Sequence, residues 1–226
     1  VIAGELAAEL KESDAALTAT GTLTISDIDS PASFVAQTNT AGHNGYGKFS
    51  LTTAGAWTYV MNSAQDHFAS GRSYTDSFDA IATDGTRQSI TVTISGTNDA
   101  PVLTPSSLTL GTVRVNASAP TGVVGTLVST LLTGVADLDD DALKGVAITA
   151  VSAHGKLYYS TNNGTDWTLS ESVSDSHALL LGSDAQTRVY FQPTADLSDG
   201  PMDGITLRAW DRSNAGMAGG YANTTV

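Results

Sequence analysis

The sequence predicts an all-β, sandwich-like fold, and three observations support this prediction. β-Branched and aromatic residues alternate with small polar residues along most of the chain. Gly, Asn, Asp and Ser interrupt the alternation about every ten positions, which is the spacing of short strands joined by turns. Helical patterns are limited to Leu6–Lys11 and Asn62–Ala69, and each of these segments is too short to be stable alone.

The first clear strand lies at Thr20–Ser26. Its residues alternate, so Leu23 and Ile25 share one face while Thr22 and Thr24 share the other.

Two hairpins follow in the first half of the chain. Phe49–Leu51 and Trp57–Tyr59 flank a turn that ends in Gly55, a residue that tolerates a positive φ. Tyr74–Ala82 and Gln88–Ser95 flank the turn Thr83-Asp84-Gly85-Thr86 in the same manner. Both pairs are predicted to be antiparallel.

A third hairpin is expected in the second half. The segment Ser160–Trp167 resembles the Asp-box of sialidase-type repeats, with Asn162 in place of the aspartate. In those families the motif is a structural turn, so the resemblance implies a hairpin between Leu157–Ser160 and Trp167–Leu169.

The domain boundary is predicted at Gly96–Pro101, where strand-like residues stop and a proline ends pairing. We therefore expect two domains, residues 1–101 and 102–226. The first contains 4 basic and 11 acidic residues and the second 6 and 12, so both are acidic.

Composition excludes several classes of protein. The chain of 226 residues has a net charge of −13 and no cysteine, which excludes disulfide scaffolds, zinc–cysteine sites and thiol nucleophiles. Its acidity repels nucleic acid and anionic lipid, and no apolar run approaches the roughly 20 residues of a membrane-spanning helix. So many carboxylates favour a hard divalent cation such as calcium.

Carboxylates recur in a repeated pattern. Each half has an Asp-x-Asp pair and, after a later apolar strand, a single aspartate: Asp27, Asp29 and Asp84, then Asp137, Asp139 and Asp211. The interval is 84 − 27 = 57 residues in the first half and 211 − 137 = 74 in the second, so the second domain is expected to carry insertions. The recurrence favours calcium, and the alternative is a set of solvated acidic turns.

Other motifs do not predict a site. The acidic run that starts at Asp137 is not an EF-hand, because Ala142 and Ile148 occupy its glycine and glutamate positions. Gly42–Lys48 is not a phosphate loop, because Phe49 follows where Ser or Thr should bind magnesium. The histidines lie far apart and no nucleophile elbow occurs, so no catalytic residue and no enzyme is predicted.

The first half contains the motifs Gly21–Asp29, Tyr46–Leu51, Gly55–Tyr59, Tyr74–Phe78, Thr83–Gly85 and Ile90–Pro101. Through these motifs it resembles a VCBS repeat, a cadherin-like family strung in tandem through giant RTX-type bacterial adhesins. The second half resembles another long cadherin-like repeat of these adhesins, through Ala136–Asp139, Ala142–Gly145, Tyr159–Trp167, Ala178–Leu181, Tyr190–Pro193 and Arg208–Asp211. The resemblance implies two tandem cadherin-like (Ig-like) β-sandwiches, the second with insertions.

The cadherin plan implies a ligand set for calcium. Linker ligands would be Asn98 and Asp99, and ligands from the following domain would be Asp137, Asp139 and Asp211. Glu12 and Asp66 would complete the site, although Gln65 and His67 flank Asp66 where the family has Asp-x-Glu. Asp27, Asp29 and Asp84 would form an equivalent half-site with weaker or absent metal, because the linker that would complete it is missing.

The resemblance implies a calcium-rigidified extender module, outside the bacterial cell after type I secretion, that projects a distal binding domain for adhesion or biofilm formation. Expected partners are neighbouring repeats of one longer chain and a distal glycan or protein receptor, and the segment is expected to be monomeric. The alternative is that the second domain itself binds a sugar or peptide.

Overall fold

The computed structural model describes residues 1–28, 32–104, 108–194, 203–212 and 217–225. These residues form strands, turns and one four-residue helix, so the all-β prediction is confirmed. Contacts along the chain divide it into two compact units. The first comprises Val1–Asp99 together with Asp139–Asp141, and the second comprises Ala100–Leu138 and Ala142–Val226.

The first unit contains two sheets. Its strands are β1 (Ile2–Gly4), β2 (Ala7–Lys11), β3 (Thr18–Ile25), β4 (Gln37–Ala41), β5 (Gly47–Leu51), β6 (Ala56–Met61), β7 (Ser73–Ile81) and β8 (Arg87–Ser95). One sheet has the order β1-β3-β6-β5-β4, and the other has the order β2-β8-β7. Strands β2 and β8 pair in parallel, whereas the other neighbours are antiparallel.

Both sheets of the first unit contribute to one core. Leu23, Phe49 and Trp57 point inward from the five-stranded sheet, and Phe78 and Val92 point inward from the three-stranded sheet. All five side chains are at most 2% exposed. Two sheets that share such a core form a β-sandwich.

The predicted hairpins of the first unit are confirmed. Strand β5 pairs with β6 and β7 pairs with β8, both antiparallel. Gly55 has φ 92° and Gly85 has φ 89°, conformations that glycine adopts without a Cβ penalty. In β3, Leu23 is buried while Thr22 and Thr24, on the opposite face, are exposed.

Neither possible helix forms. Residues 7–11 of the segment Leu6–Lys11 form β2, because Ala8 and Leu10 face the core at the two-residue period of a strand. Asn62–Ala69 forms turns in which Phe68 N–H donates to Gln65 O at 2.8 Å. A non-local strand partner and a short turn replace the local helical pattern in these two places.

The second unit contains two sheets of four strands each and one short strand pair. Its elements are β9 (Val102–Leu103), β10 (Thr126–Leu127), α1 (Val128–Leu131), β11 (Val135–Ala136), β12 (Gly145–Val151), β13 (Gly155–Ser160), β14 (Thr168–Leu169), β15 (Ala178–Gly182), β16 (Arg188–Pro193), β17 (Ile205–Trp210) and β18 (Tyr221–Ala222). The sheets have the orders β10-β16-β13-β14 and β17-β12-β15-β18, and β9 pairs with β11.

The core of the second unit joins these two sheets. Ile148 and Leu179 come from one sheet, Leu157 and Val189 come from the other, and Leu131 of α1 packs with them. No helix among the described residues has the length and apolar character needed to cross a bilayer.

The Asp-box-like segment forms the expected hairpin, with Tyr158 opposite Leu169 across β13 and β14. Its turn is internally bonded, because Gly164 N–H donates to Ser160 Oγ at 2.9 Å and Asp166 N–H donates to Asn162 Oδ1 at 2.9 Å. The motif therefore serves as a structural turn in this chain.

Candidate metal centre

The first side chain of the candidate centre is Glu12, which follows β2. The parallel pairing of β2 with β8 continues past Lys11, because Glu12 N–H donates to Ser95 O at 2.8 Å. The Glu12 side chain is only 3% exposed. Its Oε2 accepts hydrogen bonds from the backbone N–H and the hydroxyl of Thr97, while its Oε1 is buried without a hydrogen-bond partner among the described residues.

The second side chain, Asp66, lies in the loop between β6 and β7. Phe68 anchors this loop, because it is fully buried and stacks on Tyr74 with ring centroids 3.7 Å apart. Gly96 then brings the end of β8 against the loop, since a Cβ at Gly96 would lie 2.1 Å from Phe68 O. A larger residue at Gly96 would push the loop away, and Asp66 with it.

The third side chain, Asp99, ends the Val1–Asp99 segment a few residues after β8. One carboxylate oxygen each from Glu12, Asp66 and Asp99 lies within 4.8 Å of the other two. Asp66 Oδ1 and Asp99 Oδ2 are buried and, like Glu12 Oε1, lack a hydrogen-bond donor in the described part of the chain. We call these three residues the acidic cluster.

Burial is the largest of the causes that raise the pKa of Asp99 above its ordinary value, and neighbouring carboxylates come next. These neighbours are, in decreasing order of effect, Glu12, Asp139, Asp66 and Asp14. Negative charges that are held together away from water favour either proton uptake or a bound cation. The acidic cluster therefore has the electrostatics of a cation site.

The segment Asp139–Asp141 makes its contacts with the first unit. Asp99 N–H donates to Asp139 Oδ2 at 2.9 Å, and Asp140 N–H donates to His67 O at 3.0 Å. Arg72 Nη2 lies 3.1 Å from Asp141 Oδ2. These contacts bring Asp139, one of the predicted ligands, directly onto the backbone of Asp99.

Of the other predicted ligands, Asn98 belongs to the first unit, whereas Asp137 and Asp211 belong to the second. Asn98 is exposed, and its Nδ2 donates to Asp99 O at 3.1 Å. Asp137 and Asp211 are half-buried residues of the second unit, just after β11 and β17 respectively.

The structure describes two of the three residues of the predicted upstream half-site. Asp27 is half-buried and follows β3, whereas Asp29 lies outside the described residues. Asp84 is exposed, and its carboxylate accepts hydrogen bonds from Thr86 N–H at 2.7 Å and from Thr86 Oγ1 at 2.9 Å. The Asp84 carboxylate therefore forms hydrogen bonds within the β7–β8 turn.

Sequence reasoning missed one buried carboxylate of the first unit, Asp76. It is fully buried on β7, where Asn44 N–H donates to Oδ1 at 2.9 Å and Gly47 N–H donates to Oδ2 at 3.0 Å. A Cβ at Gly42 would lie 2.2 Å from the Asp76 carboxylate, so this glycine permits the loop to close over it. The Gly42–Lys48 segment thus binds an anion of its own chain, which agrees with its rejection as a phosphate loop.

The signal that could have identified Asp76 is the glycine-rich loop itself. Successive backbone N–H groups in such a loop form an anion-binding concavity, and an acidic residue on a nearby strand can fill it.

No protein-family model and no curated protein matches this chain. The resemblance to VCBS repeats therefore stays a prediction that rests on the motifs quoted above, and the argument for a metal centre rests on the geometry of the acidic cluster.

Proposed function

We propose that this chain is a calcium-binding extender module of a large secreted bacterial adhesin. In this proposal its two units are tandem cadherin-like β-sandwiches, the second with insertions, and calcium makes the module rigid. The observation that carries the proposal is the acidic cluster, in which three carboxylates approach within 4.8 Å and each has one buried oxygen without a donor among the described residues. A divalent cation would supply the missing positive charge.

The donor set favours calcium over other metals. Carboxylate oxygens are hard ligands, and the cluster contains no histidine or cysteine of the kind that zinc and copper prefer. Calcium accepts about six to eight oxygen ligands in flexible geometry, so three carboxylates leave positions for Asn98, Asp139, backbone carbonyls and water. Magnesium requires near-ideal octahedral geometry, which suits three carboxylates from separate segments less well.

The positions of the three carboxylates support a rigidifying role. Glu12 follows an edge strand, Asp66 lies in the β6–β7 loop, and Asp99 stands where the chain leaves the body of the first unit. A cation that binds all three would tie the departing chain to that body. Without the cation, repulsion among the carboxylates favours movement of Asp99 away from the other two.

The cellular setting follows from the affinity of such sites. Extracellular calcium modules have a Kd of about 10⁻⁴–10⁻³ M, so they fill outside the cell and remain empty in the cytoplasm. We therefore propose an extracellular location on the bacterial surface, reached by type I secretion in the unfolded state. The partners would be neighbouring repeats of the same chain and the receptor of a distal binding domain.

Small-angle X-ray scattering with calcium and with EGTA tests this function. We expect the maximum dimension of the chain to increase and the scattering to become that of a stiffer particle when calcium is added. The Asp66→Asn variant should stay in the calcium-free form under both conditions. An unchanged scattering curve for the wild-type chain would contradict the rigidifying role.

A second candidate function is ligand binding by the second unit, as expected for an adhesion module that contacts a sugar or peptide. The observation that favours it is a cavity of about 320 Å³ whose lining residues all belong to this unit. Ligand pockets in proteins have volumes of about 300–1,000 Å³, so this cavity lies at the lower end of that range.

A further inference from the structure

The cavity of the second unit is bordered by one segment without regular secondary structure and one strand. Its lining consists of residues 111–114, Ala117, Val124, Gly125 and Tyr190 of β16. The lining residues of this partly open cavity thus include two glycines, small apolar residues, one arginine and one tyrosine.

Hydrogen bonds hold the walls of this cavity in place. Gly111 N–H donates to Thr126 Oγ1 at 2.8 Å, and Gln192 Nε2 of β16 donates to Ala117 O. Gly125 has φ 71°, and a Cβ there would lie 2.3 Å from a carbonyl oxygen of β16. These contacts hold the segment against β16, so the walls of the cavity are braced by the chain itself.

The aromatic wall is also fixed. The half-buried ring of Tyr190 meets the ring of Trp167 edge-on, with centroids 6.0 Å apart and an interplanar angle of 66°. Trp167 Nε1 in turn donates to Gly122 O at 3.1 Å. A tyrosine held in this way offers a rigid amphipathic surface to a ligand such as a sugar ring.

The charge at the cavity indicates an anionic ligand. Arg114 is exposed, and among the described residues no carboxylate forms an ion pair with its guanidinium. In a chain of net charge −13, an uncompensated guanidinium at a cavity is the complement of a negative group. Guanidinium groups bind carboxylates through two parallel hydrogen bonds.

We propose that this cavity binds a carboxylated saccharide, with Arg114 on the sugar carboxylate and Tyr190 against the sugar ring. The inference rests on the second candidate function and does not depend on the metal centre of the first unit. Uronic and sialic acids share the required chemistry, so both belong to the ligand class.

NMR titration of the ¹⁵N-labelled full chain tests the inference. The probes are an oligoglucuronate and a sialyllactose, and cellotetraose and lactose are their neutral counterparts. We expect saturable shifts of the Gly111, Gly125 and Tyr190 amides with at least one acidic probe and none with the neutral sugars. Binding of the oligoglucuronate would identify the carboxylate as that of a uronic acid, and binding of the sialyllactose would identify it as that of a sialic acid.

Variants separate the site from general charge effects. Arg114→Gln should lower the affinity for the acidic probe about tenfold or more, because a charge-assisted pair is lost. Arg208→Gln removes the same charge from an exposed residue of β17 outside the cavity and should leave the affinity unchanged. Asp66→Asn, which acts on the metal centre, should also leave it unchanged.

Three results would overturn the proposal. The first is the absence of shifts with both acidic probes, and the second is an equal loss of affinity in Arg114→Gln and Arg208→Gln. The third is tighter binding of a tetraglutamate peptide at the same amides, which would assign the cavity to acidic peptides.

Discussion

The first unit contains two arrangements of carboxylates with buried oxygens, and they differ in the hydrogen-bond donors that reach those oxygens. Asp76 is fully buried, and donors from its own chain surround it. These donors are the N–H groups of Asn44 and Ser77 on Oδ1, and the N–H of Gly47 and the hydroxyl of Tyr59 on Oδ2. The acidic cluster has three buried oxygens that no described donor reaches.

This difference indicates that Asp76 stabilises the fold, whereas the acidic cluster is suited to binding a ligand. A buried carboxylate with several hydrogen bonds is satisfied by the polypeptide and needs nothing further. Burial and, after it, the charge of Asp76 hold the pKa of Tyr59 well above its ordinary value, so this hydroxyl remains a donor at physiological pH. The acidic cluster lacks such donors, and a cation is the simplest way to complete it.

The largest expected effect comes from the satisfied carboxylate. Asp76→Asn should destabilise the first unit by about 3 kcal/mol, because the amide cannot accept from all four donors. Urea unfolding followed through the core amides of Phe49 and Val92 measures this loss. The loss should be the same with calcium and with EGTA, and a loss seen only in calcium would contradict the structural role of Asp76.

The second-largest effect is expected from a substitution in the acidic cluster. It should lower stability when calcium is present and raise stability slightly when calcium is removed. At a calcium concentration of about 100 times Kd, binding should stabilise the wild-type first unit by about 2.7 kcal/mol. Asp66→Asn should remove most of this gain, yet it should raise stability slightly in EGTA because one repelling charge is gone. The same unfolding experiment in both buffers measures the difference.

Asp84→Asn is the matched control for this experiment. Asp84 was predicted as a ligand of the upstream half-site, where weak or absent metal is expected, and in the structure its carboxylate accepts two hydrogen bonds from Thr86. The variant should therefore lose some stability equally in both buffers and retain the full calcium gain. A reduced gain would show that calcium also binds near Asp84.

Much of the fold could be predicted because its signals are local. The β5–β6 and β7–β8 hairpins follow from turns that place Gly55 and Gly85 at positive φ. The strand within Leu6–Lys11 was harder to predict, because it forms by parallel pairing with β8, which lies far away in the sequence.

The candidate site was harder to predict than the fold. Glu12 and Asp66 entered the ligand set only through the cadherin resemblance, since no sequence spacing relates them to Asp99. Gly96 approaches the Phe68 carbonyl closely, and this contact places the loop of Asp66 against the end of β8. Only the folded chain reveals this contact. Asp76 was missed although the two-residue alternation places it on the inward face of β7 with Phe78 and Ala80, because the loop donors that satisfy its carboxylate lie about 30 residues earlier in the chain.

A smaller effect is expected from pH. In the calcium-free chain the pKa of Asp99 is raised above its ordinary value. The associated stabilisation is therefore complete below the unfolded pKa and disappears as pH rises through the folded pKa. Calcium competes with that proton, so the calcium-induced rise in Tm should be small at acidic pH and grow as pH increases through the same window.

Thermal unfolding over a pH series, with calcium and with EGTA, measures this dependence. Asp99→Asn should remove both the calcium gain and its pH dependence. A calcium gain in the wild-type chain that stays constant from about pH 4 to about pH 7 would contradict the coupling.

The smallest effect should come from the ion pair between Arg72 and Asp141. Their side chains are 56% and 76% exposed, so Arg72→Gln should cost at most about 0.5 kcal/mol. The cost should not depend on calcium, because the backbone bond from Asp140 to His67 also holds this segment without a metal. Urea unfolding in both buffers checks this, and a cost above about 2 kcal/mol would show that the pair is more than a surface contact.

Calcium titration of the ¹⁵N-labelled chain tests the cation requirement of the acidic cluster most directly. We expect saturable shifts of the Thr97 and Asp99 amides with a Kd of about 10⁻⁴–10⁻³ M, and their loss in Asp66→Asn. If these amides do not move in the wild-type chain, or move equally in Asp66→Asn, the three oxygens do not form a calcium site.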